Sequence, residues 1–277
     1  MKLAMNYSPQ AEQLVADGQI ALDLFKCPPS WDPVVPNYAP DLLPRARAQR
    51  PIYLHFPLHA GRNSLESVDW EQIARALEET NTPYVNVHLQ AITEDYPEMP
   101  VDTRDPAHLR TIADILIQDV RLVTERFGAE RVIVENVSYR GAEGRCLYPC
   151  VDPGVISRVV AETGCGFLLD TAHARLTTAA LGIDTVEYIS QLPVAHLREL
   201  HVVGVQSDGR RLRDSMAMGP EDWAVIEWVG RQITHGLWPT PWVMAFEYGG
   251  VGPSLEWRSE AVVMAEQAPR LQALCDF

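Results

Sequence analysis

Six short apolar runs in this chain each close on a histidine or a carboxylate, and this recurrence constrains the fold more than any other feature. They read Ile52-Tyr53-Leu54-His55, Tyr84-Val85-Asn86-Val87-His88, Val132-Ile133-Val134-Glu135, Phe167-Leu168-Leu169-Asp170, Leu197-Arg198-Glu199-Leu200-His201 and Val243-Met244-Ala245-Phe246-Glu247. A short apolar run bounded by turn signals suits a parallel strand buried on both faces. Leu3-Ala4-Met5-Asn6 and Ile20-Ala21-Leu22-Asp23-Leu24-Phe25 add two more candidates. That makes eight, the number a closed parallel barrel needs.

Helical patterns fall between the runs. Trp70, Ile73, Ala74 and Leu77 follow i, i+3, i+4, i+7 spacing. Asp105-Pro106 and Asp152-Pro153 each pair an N-cap with proline at the first helical position, and Gly128 and Gly164 supply the stops. Pro220 opens a helix carrying Trp223 and Ile226, and the last helix is expected from Ser254 to Leu271. Strand and helix alternate to the end, which predicts an α/β protein and specifically a (β/α)8 TIM barrel. No stretch reads as a linker, so residues 1–277 are expected to form a single domain. Long loops over Cys27–Pro44, Gln90–Asp105 and Gly204–Gly219 are expected to build the pocket.

Bulk properties exclude some function classes. A formal net charge of −14 argues against a nucleic-acid partner, which needs a basic footprint. Five widely spread cysteines are an odd number, so a disulfide framework is not expected and a cytoplasmic location is. The residues after Met1 form no apolar signal region, and no run approaches the ~18 apolar residues of a membrane span.

The residues that end the runs carry the chemistry. In a parallel barrel all C-terminal strand ends meet at one face. His55, His88, Glu135, Asp170, His173, His201 and Glu247 would then gather there. Imidazole and carboxylate donors of this kind suit iron, zinc or manganese. Seven donors exceed one tetrahedral ion, so two or three divalent ions are expected, an arrangement that can activate water and hold two reacting oxygens. Asp170-Thr171-Ala172-His173 places two donors on one segment, and Asp214 is an additional candidate ligand. Asn136 is expected to orient Glu135 or a substrate oxygen. Arg210, Arg211 and Arg213, in the loop after the seventh strand, could clamp a phosphate or carboxylate, and His59 could touch substrate. Asp23 could pair with Lys26 or face the pocket.

Phe167-Leu168-Leu169-Asp170-Thr171-Ala172-His173-Ala174 resembles the Leu-Asp-Thr-x-His-Ala segment of xylose-isomerase-like TIM barrels, a superfamily of sugar isomerases, epimerases and endonuclease IV-type repair enzymes. The second half is similar to the multinuclear non-haem iron-dependent oxidative enzymes. The similarity rests on Glu135-Asn136-Val137-Ser138, on Gly164-Cys165-Gly166 leading into Asp170, and on Gly182-Ile183-Asp184, Tyr188 and Leu192-Pro193. It continues through Glu199-Leu200-His201-Val202-Val203-Gly204, Asp214 and Trp223. That resemblance implies Glu135 as a bridging carboxylate, iron as the metal, a peptide or small thiol as substrate, and a partner protein that presents the peptide. Two departures stand out. Thr171-Ala172-His173 replaces the asparagines of the oxidative family, and Asp214-Ser215-Met216 replaces an Asp-x-His triplet. A thioether is a poor ligand for a hard ion, so a third metal would be incomplete or held differently. The resulting expectation is an iron-dependent oxidoreductase. The alternative is a sugar or sugar-acid isomerase or epimerase in which Glu135 or Glu247 moves the proton. Phosphodiester hydrolysis ranks lower, because of the acidic charge and Met216.

Overall fold

The computed structural model describes residues 1–32 and 41–275. Residues 33–40 of the expected Cys27–Pro44 loop lie outside the described residues. The strands are Lys2–Asn6 (β1), Leu24–Cys27 (β2), Ile52–Leu54 (β3), His59–Ala60 (β4), Val85–Leu89 (β5), Val132–Glu135 (β6), Gly166–Asp170 (β7), Leu197–Val202 (β8), Gly204–Ser207 (β9), Leu212–Met216 (β10) and Val243–Phe246 (β11).

The chain forms two compact units: residues 1–56, 71–83 and 199–277 make the first, and 57–70 with 84–198 the second. In the first unit, parallel pairing runs β3–β2–β1–β11–β8. In the second it runs β7–β6–β5–β4. The first unit's helices include Pro9–Ala16, Pro220–Thr234 and Ala261–Cys275. Those of the second include Pro106–Phe127, Pro153–Thr163 and Thr171–Leu181. Helices cover parallel strands, so the strands are buried on both faces, as the apolar runs required. Every residue of β2, β3, β6, β7 and β11 is buried.

The helix boundaries follow the local chemistry. Asp105 accepts from Ala107 N at 2.8 Å, and Pro106 follows it. Asp152 accepts from Gly154 N and Val155 N at 3.0 and 3.1 Å, and Gly164 ends that helix in the left-handed region. Losing such a cap costs about 1 kcal/mol. Asp152→Ala is therefore expected to lower the urea unfolding free energy by about that amount, with an unchanged m-value.

Three elements differ from expectation. The second strand runs Leu24–Cys27 rather than Ile20–Phe25, because Asp23 serves as a corner: its carboxylate accepts from Leu3 N at 2.8 Å. The expected loop over Gly204–Gly219 contains an antiparallel hairpin, β9 with β10. At its base Gly204 has no space for a side chain, since a Cβ there would sit 1.9 Å from Ala217 O. The last helix starts at Ala261, not Ser254, and ends at Cys275. A 3-10 turn over Glu256–Arg258 precedes it, and the Ser259 hydroxyl ties that turn to Gly250 and Leu255. No helix among the described residues is long and apolar enough to cross a membrane.

Candidate metal centre

The second unit brings four of the expected donors together. In register, His59 lies opposite His88 and His88 opposite Glu135, so neighbouring strands present them side by side. Asp170 ends β7, and its carboxylate caps the following helix by accepting from His173 N at 2.7 Å. The cap fixes the Asp170 rotamer and sets His173 in the first turn, so one local motif orients two donors. Glu135, Asp170 and His173 have ligand atoms within 4.8 Å of one another. His88 Nε2 is 3.2 Å from Glu135 Oε2, and His173 Nδ1 is 3.4 Å from Glu135 Oε1. Glu135 and Asp170 are each only 1% exposed.

Both imidazoles are oriented by backbone. His88 Nδ1 is 2.9 Å from Leu58 O, and His173 Nδ1 is 2.8 Å from Asn136 O. A carbonyl oxygen only accepts, so Nδ1 carries a proton on each ring. Asn136 is fully buried, and its amide is taken up by the Asp170 backbone. Nδ2 donates to Asp170 O and Oδ1 accepts from Asp170 N, each at 2.9 Å. His59 lies in β4, stacked on His88 with ring centroids 4.9 Å apart. Burial first, then the charge of Arg62, holds its pKa below 6.5, so the ring is neutral near pH 7.

The first unit holds the remaining donors. His55, Glu199 and His201 have ligand atoms within 4.8 Å of one another. The His55 and His201 rings lie 5.1 Å apart. His201 is fully buried between two carboxylates: Nε2 is 2.8 Å from Glu199 Oε1, and Nδ1 is 3.1 Å from Glu247 Oε1. Lys26, 6% exposed, donates to Glu247 Oε1. The expected Asp23–Lys26 pair is thus replaced by Lys26–Glu247. Asp23 lies at the corner before the strand, where its carboxylate accepts from Leu3 N, and Lys26 on the strand meets Glu247. A cavity of about 130 Å³ is lined by Lys26, His55, Asn6, Tyr7, Asp32 and Cys27, among others.

Glu199 is the functional candidate that a reading of run ends misses. The signal was present all the same: it stands two residues before His201, on the same face of the strand.

Other expected site residues lie elsewhere. Asp214, on β10, is in neither set, and its carbonyl accepts from Arg258 at 3.3 Å. Met216 ends the same strand. Arg210 and Arg211 are exposed at the hairpin turn, where their backbone N–H groups donate to Asp208. The Arg213 guanidinium meets Asp208 and lies over the exposed Trp257 ring.

The donor sets fit divalent cations. Two buried carboxylates beside imidazoles whose Nδ1 is fixed by a backbone carbonyl are a donor set that such an ion can use. Burying carboxylates costs several kcal/mol each unless a cation compensates. The absence of thiolate from both sets suits iron, manganese or a catalytic zinc rather than a structural one.

Comparison with known proteins agrees with this geometry. Over 221 residues the chain is 24% identical to a UPF0276 protein of Rhizorhabdus wittichii, covering 77% of each. Its fold is similar to that of D-psicose 3-epimerase solved with D-fructose (TM-score 0.57, 14% identity, 99% of this chain and 97% of that one). It is similar also to endonuclease IV from Thermus thermophilus (TM-score 0.55, 15% identity, 100% and 99%). The fold is that of a xylose-isomerase-like TIM barrel. Residues 32–239 match the model of the RiPP precursor modification enzymes MbnB/TglH/ChrH, and the chain belongs to that family.

Proposed function

We propose that this protein is an iron-dependent oxidoreductase that modifies a cysteine-bearing peptide or a small thiol. The observation that carries the proposal is a buried histidine–carboxylate set in each unit, in a chain whose family modifies RiPP precursors. Bound iron would supply one-electron and dioxygen chemistry at these sets. His88, Glu135, Asp170 and His173 would hold one ion, and His55, His201 and Glu247 another. The rest is done by the chain. Asn136, bonded through both amide atoms to the Asp170 backbone, would position Asp170. Glu247, whose Oε1 accepts from the Lys26 ammonium, would be the group that accepts a proton from substrate. Glu135 is the second candidate for proton transfer.

Arg210, Arg211 and Arg213 supply positive charge on an acidic molecule and would meet acidic groups of the peptide, with His59 nearer the metal ligands. A partner protein presenting the peptide belongs to the same reading. Likeness to complete TIM-barrel chains supports treating residues 1–277 as one domain. The likeness to sugar epimerases lies in the fold and lends the isomerase alternative no further support.

The test is anaerobic purification, metal analysis, and oxygen uptake with cysteine-containing peptides. About two iron ions per chain are expected, with oxygen consumed only in the presence of a thiol peptide whose mass then changes. A protein that retains no iron and makes no oxygen-dependent product would refute the proposal. Solvent deuterium entering a sugar would support the isomerase instead.

A further inference from the structure

His88 and His173 each have Nδ1 tied to a backbone carbonyl. His201 is arranged the other way round. Its Nε2 faces Glu199 Oε1 at 2.8 Å, and its Nδ1 faces Glu247. Glu199 lies one pleat deeper than His201 on β8, opposite Val243, and is 3% exposed. Two more donors meet its carboxylate: Tyr53 Oη at 2.9 Å on Oε1 and Trp242 Nε1 at 3.2 Å on Oε2. The Tyr53 and Trp242 rings pack edge to face, 5.1 Å apart, against Ala4, Leu24, Val243 and Ala245. Burial, then the charge of Glu199, raises the Tyr53 pKa well above 10, so the phenol stays a donor.

We infer that Glu199 is a positioning residue: clamped by Tyr53 and Trp242, it holds the His201 proton on Nε2 and turns Nδ1 toward a cation beside Glu247, without binding the cation itself. This rests on the metal reading above for its purpose, while the ring orientation is set by hydrogen bonds of the chain itself. Glu199 Oε1 accepts two donors and Oε2 one, so three of the roughly four acceptor sites of the carboxylate are engaged by the protein itself. A carboxylate behind a ligating imidazole fixes its tautomer and raises its basicity, and losing such a partner typically costs 10–100-fold in metal affinity. Glu199 would do for His201 what backbone carbonyls do for His88 and His173, with a full negative charge in place of a dipole.

The test uses the full chain with Glu199→Gln and, as a milder change that keeps the carboxylate, Tyr53→Phe. Nitrogen-15 NMR of the histidine rings in metal-free protein reads the His201 tautomer, assigned by comparison with His201→Gln. Titration with Co²⁺ reads affinity, stoichiometry and the ligand-field spectrum. Wild type is expected to show the Nε2-protonated His201. Glu199→Gln should lose that fixed tautomer and weaken one of two Co²⁺ equivalents about 10–100-fold, with stoichiometry and ligand-field bands retained. Tyr53→Phe should fall between. A folded Glu199→Gln protein with unchanged tautomer and affinity would overturn the inference. So would a lost equivalent with altered bands, which would make Glu199 a ligand. If wild type takes up no Co²⁺, the metal reading fails, and the NMR result alone decides the role of Glu199.

Discussion

Glu135→Gln is expected to reverse the effect of metal on the protein's stability. In the metal-free protein the substitution removes one of two buried carboxylates whose oxygens lie within 4.8 Å of each other. Like charges at that separation in a low-dielectric interior repel, so the metal-free variant should melt at or above the wild-type temperature. With metal the order inverts. An ion at about 100 times its Kd stabilises wild type by about 2.7 kcal/mol. The variant loses a direct ligand, which should weaken binding by more than the roughly 100-fold attached to outer partners, and the stabilisation should vanish at the same concentration. Turnover should fall with ion retention. Paired melts with and without Fe²⁺ or Mn²⁺ under anaerobic conditions read the crossing directly. A variant that melts below wild type without metal, yet gains equally from metal, would show Glu135 to be structural.

Lys26→Met carries the second large effect. Lys26 and Glu247 form an ion pair with side chains 8% and 17% exposed. Removing one partner of a buried pair typically costs 3–5 kcal/mol, because the other charge stays buried. Glu247 keeps 17% exposure, which sets the expected loss at the low end, about 3 kcal/mol. Divalent metal should restore a large part of it, since a cation beside Glu247 replaces the missing ammonium. Urea unfolding of the variant, with and without metal, tests both halves. A loss that metal leaves unchanged would separate Glu247 from metal binding.

Much of this was legible in the sequence, and the gaps have physical causes. Apolar runs closed by His88, Glu135, Asp170 and His201 marked strands and candidate donors together, because the C-terminal ends of parallel strands are where such a fold gathers polar side chains. Asp170 and His173 were readable as a unit because an N-cap aspartate dictates the position of the third helical residue. Glu199 was missed by attention to run ends, although the period of two puts it on the His201 face. The Lys26 partner required knowledge of which strands pair, which proximity in sequence cannot supply. The hairpin carried its own signal, Asp208-Gly209, hidden in a segment whose polar residues resemble a loop. The start of the last helix was displaced by tertiary hydrogen bonds from Ser259, which local pattern does not encode.

The central claim is that these donors hold metal, and anomalous scattering from crystals grown with Fe²⁺ or Mn²⁺ tests it most directly. One peak is expected within ~2.0–2.2 Å of donors from the His88, Glu135, Asp170 and His173 set. A second is expected at the same distance from His201 Nδ1 and a Glu247 oxygen, with Glu199 outside coordination range. Maps with no peak at either set, and the same side chains bonded only to one another, would contradict the account.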